Sequence, residues 1–162
     1  MHLTRDDRFE RTDIWKEGKW LDLWSVVHFL SGVSIGFVFY LFPFGQLASV
    51  IIVFLSLTAY EMWEKIVGIE ETPANRVLDV VVGMASFLPT FLLFAPSLSF
   101  TLYILVFGLI LTANIVMSVF GWIASQKAAA LKVRASARYL KQRARLLQRA
   151  ERLRVRMKSK DI

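Results

Sequence analysis

Four residues of this 162-residue chain set a reactive side chain against an apolar background: His28, Glu61, Glu64 and Asp79. Each stands within or at the end of a long apolar run, where an ionisable group is costly and is tolerated when it faces a bundle interior or a wet cavity. An imidazole beside carboxylates can bind a divalent cation, or do acid–base work. It can also hold a cationic headgroup or, through a metal ion, a phosphate-bearing one. These four are the catalytic candidates. A divalent cation is the cofactor they would take, with His28, Glu61 and Asp79 as ligands, although no spacing matches a dedicated metal motif such as His-Glu-x-x-His.

Depth along the chain argues that these groups belong together. Glu61 lies seven residues before Gly68 and Asp79 seven after Thr72, so on helices rising about 1.5 Å per residue both sit roughly 10 Å from one turn. His28 is eight residues past Trp20 and Asn114 nine before Ile123, which puts both at roughly 12 to 14 Å from the corresponding helix ends. A polar group from each apolar segment is therefore expected near one level. Structural readings stand beside this one. Glu61 could pair with Lys65 one turn on, Asp79 could favour the positive end of its own helix, and His28 could be a neutral hydrogen bonder between helices.

The elements that must position these residues are membrane spans. Hydrophobic residues make up 56% of the chain and mean hydropathy is +0.49, and the apolar residues are blocked into runs of about 20, the length that crosses a bilayer. The expected fold is all-α, a polytopic membrane protein with a four-transmembrane-helix bundle at about 20-42, 45-67, 73-95 and 98-124. Pro43, Gly68, Thr72-Pro73 and Pro96-Ser97 punctuate the spans, and Pro89 is expected to bend the third. Gly32 and Gly36 form a Gly-x-x-x-Gly step that favours close helix packing within the bundle, with a homodimer contact as the alternative. A charged segment, 1-19, precedes the spans, and a basic amphipathic helical tail, 125-162, follows them. Cysteine is absent, which excludes disulfides, thiolate metal sites and a cysteine nucleophile.

Charge divides the chain. Residues 125-162 hold 13 Lys+Arg against 2 acids, net +11, whereas residues 1-124 hold 7 bases against 11 acids, net −4. On a helical wheel Tyr139, Leu140, Leu146, Leu147, Ala150, Leu153 and Met157 share a broad face opposite Arg134, Arg138, Lys141, Arg145, Arg149, Arg152 and Arg156, the pattern of a helix lying on an anionic lipid surface. A coiled-coil contact is the second reading of the tail, and nucleic acid the last, since no groove-reading motif accompanies the bases. An even number of spans puts both termini on one side with the charged 65-76 connection, while the turns around Pro43 and Pro96 carry no charge. The positive-inside rule then makes that side cytoplasmic, in a multi-pass protein of the inner membrane. Trp15, Trp20, Trp24, Trp63 and Trp122 all fall near the same ends, as headgroup-seeking rings do.

The segments His28-Phe29-x-x-Gly32, Ala59-Tyr60-Glu61-x-x-Glu64 and Arg76-x-x-Asp79-x-x-x-Gly83 resemble, in type and order, those of the VanZ-like and YjdF-like small bacterial membrane proteins. The resemblance spans about residues 22 to 90. It departs at Gly83, where the VanZ-like pattern commonly has Asn, and at Gly68-Ile69-Glu70-Glu71-Thr72, which replaces the longer Gly- and Asp-rich connection of the YjdF-like pattern. It implies an inner-membrane protein and points to His28, Glu61, Glu64 and Asp79.

Three functions compete: a site that binds or modifies a lipid or polyprenyl-phosphate headgroup; proton or cation transport through a homo-oligomer; and a structural subunit of a larger membrane complex, docking through its tail. No Walker loop, Gly-x-Ser-x-Gly elbow or dinucleotide fingerprint is present, which disfavours nucleotide-driven and serine-hydrolase chemistry.

Overall fold

A computed structural model describes residues 2-3, 9-10, 14-16, 20-67 and 72-158, with side chains described for 14-16, 20-67 and 72-152. Most of the charged 1-19 segment and the Gly68 to Glu71 connection lie outside the described residues. The chain divides into two compact units, Ile14–Ile123 and a second made of Met1–Asp13 with Ala124–Ile162. In the second, a short antiparallel pair joins β1 (His2–Leu3) and β2 (Phe9–Glu10). Alternating charge gave no sign of that pairing.

The other regular elements among the described residues are helical: α1 (Leu23–Tyr40), α2 (Gln46–Val67), α3 (Pro73–Pro89), a π-helical turn (Thr90–Phe94), the single turn α4 (Ala95–Ser97) and α5 (Phe100–Lys158). Among the described residues three stretches, Leu23–Tyr40, Pro73–Ser97 and Phe100–Arg152, are long and apolar enough to cross a membrane. α2 has 22 residues but closes on Glu61, Glu64 and Lys65.

Local signals account for the boundaries. α1 starts three residues later than its apolar run because Asp22 caps it. The Asp22 carboxylate accepts from the Trp24 and Ser25 amides at 2.8 and 3.1 Å, and the Ser25 hydroxyl accepts in return from the Asp22 amide at 3.4 Å. This reciprocal box satisfies donors that the first helical turn leaves without partners. Thr72 caps α3 through the Asn75 amide at 3.2 Å, and Pro73 occupies the first turn, where its missing N–H costs nothing. Pro89 cannot donate to the helix ladder, and the backbone after it widens into the π turn.

α1 and α3 make the closest pair, because glycine lets their backbones meet. A Cβ on Gly32 would overlap the Gly83 carbonyl oxygen and the Ser86 hydroxyl, and one on Gly36 would come within 2.8 Å of Thr90 Cβ. The Gly-x-x-x-Gly step is thus used inside the chain, and α3 occupies the face that a homodimer would need. One apolar cluster joins Val33, Phe37, Ala95 and Tyr103, and a second joins Val53, Leu57, Phe87 and Phe91. The Tyr103 hydroxyl donates to the Phe37 carbonyl, giving its polar tip a partner in an apolar setting. Outside these clusters large apolar side chains face outward: Leu105, Leu109 and Phe120 of α5 are each more than half exposed, and its apolar stretch is only 6% buried. Such a surface suits hydrocarbon rather than water.

Candidate functional site

His28 on α1, Glu61 on α2 and Asp79 on α3 converge. One ligand atom from each lies within 4.8 Å of the others. His28 Nε2 stands 3.6 Å from Glu61 Oε1 and 3.9 Å from Asp79 Oδ2, with side-chain exposures of 13% for His28, 7% for Glu61 and 1% for Asp79. Of the three side chains, the imidazole is the most exposed. Its ring meets Tyr60 of α2 edge to face, with centroids 6.0 Å apart.

A rigid polar frame fixes Asp79. Ser25 Oγ donates to its Oδ1 at 2.7 Å, and Asn75 Nδ2, one turn earlier on α3, donates to its Oδ2 at 3.2 Å. Asn75 Nδ2 also lies 3.3 Å from Asp22 Oδ2, so the residue that caps α1 is tied to the first turn of α3. Asn75 is fully buried. Hydrogen bonds of this kind, in a low-dielectric interior, set the orientation of a carboxylate before any ligand arrives.

The remaining sequence candidates separate. Glu64, one turn beyond Glu61, is half-buried and lies outside the converging trio. Asn114 of α5 does not reach it either: its side-chain amide donates to Ser31 Oγ at 3.1 Å, so the fourth polar group at that depth joins α5 to α1. Arg138, Lys141, Arg145, Arg149 and Arg152 are exposed along α5 in the second unit, and the helix continues through Arg156, whose side chain is outside the described ones. Leu140, Leu146 and Leu147 are exposed too.

Sequence reasoning missed the roles of Asp22 and Ser25. The Asp-x-x-Ser start of an apolar run is a capping-box signal that could have found both.

Comparison of the chain with family models, with curated proteins and with solved structures finds no match. What fold and site define is a class: a helical protein with helices fit to span a membrane and a buried His-Glu-Asp cluster contributed by α1, α2 and α3.

Proposed function

We propose that the chain is a four-span protein of the inner membrane, of the VanZ-like and YjdF-like kind, with a basic tail on the cytoplasmic surface. Its His28–Glu61–Asp79 cluster binds, and presents for modification, the phosphate-bearing headgroup of a lipid or polyprenyl phosphate. The observation that carries this reading is the convergence of three ionisable side chains from three helices inside a unit whose outer surface is largely apolar. Keeping such groups within a bilayer costs several kcal/mol unless they are matched by a ligand, a proton or one another.

α2 supplies the remaining span. Its 22 residues reach about 33 Å, enough for the hydrocarbon layer, and its charged end falls where a helix meets headgroups. Glu61 and Asp79 are then each about one turn from the charged 65-76 connection, in the half of the bundle toward the cytoplasm. A headgroup entering there would approach the cluster beside His28, the most exposed of the three side chains. The opposite half carries no comparable set of ionisable groups, and that favours a headgroup site over a transport path across the whole bilayer.

Native mass spectrometry of the chain extracted in mild detergent tests the reading. Wild type is expected to retain a phosphate-bearing lipid, and Glu61→Gln and His28→Ala are expected to weaken retention by about 10-fold or more, the usual loss when a ligand of a polar site or its orienting partner is removed. Equal retention in all three would overturn it.

A further inference from the structure

We propose that His28, Glu61 and Asp79 form the protein side of a divalent transition-metal site of the Zn²⁺ or Mn²⁺ class, with one side left open for an oxygen of the headgroup. This rests on the headgroup reading for what the ion does, and on the cluster alone for where the ion sits.

Donor chemistry comes first. One imidazole nitrogen with two carboxylates is a mixed set: the imidazole suits borderline Zn²⁺ and the carboxylates suit harder Mn²⁺, whereas an all-oxygen set would favour Mg²⁺ or Ca²⁺. Three protein ligands with a free position is also the arrangement that metal sites keep when a substrate or water must bind.

Spacing agrees. Ligand atoms held about 2.0 to 2.2 Å from one ion are separated from each other by about 3 to 3.6 Å. The observed His28 separations of 3.6 and 3.9 Å are close to that range and longer than the roughly 2.7 to 2.9 Å of a charge-assisted hydrogen bond. All three ligand atoms lie within 4.8 Å of one another, and side-chain rotation that closes the remaining separation would bring them onto one ion.

Charge points the same way. Two carboxylates in a membrane interior require two units of positive charge or two protons, and a divalent ion supplies both charges at a single point. The surrounding frame completes the case. Ser25 and Asn75 hold Asp79 from outside the trio, and Asp22 in turn lies against Asn75, as the partners that orient ligands in metal sites do. Such an ion would draw an anionic phosphate oxygen to the open side of His28 and polarise it.

The test uses the full chain without a purification tag, stripped of metal in detergent and titrated with Zn²⁺ and, separately, Mn²⁺. Calorimetry is expected to give one ion per chain, with Glu61→Gln, Asp79→Asn and His28→Ala each weakening it by at least about 10-fold. X-ray absorption on the zinc-loaded wild type provides a readout that does not depend on any variant folding: one imidazole and oxygen donors are expected in the first coordination sphere. Binding of equal strength in correctly helical variants, no stoichiometric ion, or a coordination sphere without imidazole would each overturn the site. Lipid retention measured on the same samples keeps the two ideas apart. Lipid retained by a chain that binds no ion removes the metal and leaves the headgroup reading, whereas a stoichiometric ion without lipid supports the metal and removes the headgroup.

Discussion

Asp22 uses its two carboxylate oxygens for two purposes, one on the Trp24 and Ser25 amides and one toward Asn75. Asp22→Ala is therefore expected to lower stability by about 1 kcal/mol through the lost cap alone, and to loosen Asp79 through Asn75. Thermal unfolding in detergent, read beside ligand retention, checks both effects; a change in stability with unaltered retention would show that the link to Asp79 is unimportant. Glu64 provides a contrast at the same scale. It shares a helix face with Glu61 yet stands outside the trio, so Glu64→Gln should move lipid and metal binding far less than Glu61→Gln. Equal losses would mean that the site extends a turn further along α2. Glycine makes a third comparison. Gly32→Ala should destabilise by about 1 to 3 kcal/mol, because the new methyl meets backbone and hydroxyl atoms that cannot move aside cheaply. Gly45→Ala, with nothing within 4 Å of the added atom, should stay within about 0.5 kcal/mol of wild type. Equal unfolding temperatures for the two variants would contradict the close α1–α3 approach.

Among the elements, α3 carries the most consequences. Its N-cap at Thr72 sets the helical phase that puts Asn75 and Asp79 on the face toward α1, and the same face continues through Gly83 and Ser86 to Thr90. Polar recognition and close packing therefore share one stripe, polar near the start of the helix and small toward its middle. The π turn after Pro89 ends that regular stripe, and Phe91 and Ala95 beyond it belong to the two apolar clusters. In the second unit, the part of α5 beyond residue 123 carries bases and leucines that are both exposed. A tail that rests on lipid needs both: apolar side chains to insert and bases to hold anionic headgroups, each base contributing roughly 1 kcal/mol. Hydrogen exchange on the reconstituted chain should show stronger tail protection in bilayers containing anionic lipid than in zwitterionic ones, with the difference fading as salt screens the surface. Identical protection in both bilayers would leave the coiled-coil reading of the tail ahead.

For the whole molecule the decisive question is topology, and the composition makes it straightforward to ask. The chain has no cysteine, so single cysteines can be placed at will and labelled from one side of the membrane. With four spans and cytoplasmic termini, Ser97→Cys should react with an impermeant reagent in intact cells, and Ala129→Cys only after the membrane is opened. Reaction of both in intact cells, or of neither, would reject the four-span arrangement. A third position decides whether α2 crosses the bilayer: Ile14→Cys, at an exposed site before α1, should share the side of Ala129→Cys with four spans and take the opposite side with three.

Much of this architecture was legible in residue order. Apolar runs of bilayer length, Thr72-Pro73 before a helix, Pro89 within one and an Ala-, Leu- and Arg-rich tail are local signals, and helices form from local signals. The level of His28, Glu61 and Asp79 followed from counting residues at a fixed rise per residue. Counting gives height but not rotation about the helix axis, and it could not separate Glu61, which reaches the trio, from Glu64, or predict that Asn114 would turn to Ser31. Those choices belong to the tertiary structure. They follow from which faces of α1 and α3 meet, and that is decided by where glycine lets two backbones approach and where Asp22, Ser25 and Asn75 bond across the gap. Sequence alone determined the helices, their apolar character and the depth of the polar groups, because each depends on neighbours along the chain. The grouping of three of those residues into one site was decided only by packing, because it depends on how separate helices turn toward one another.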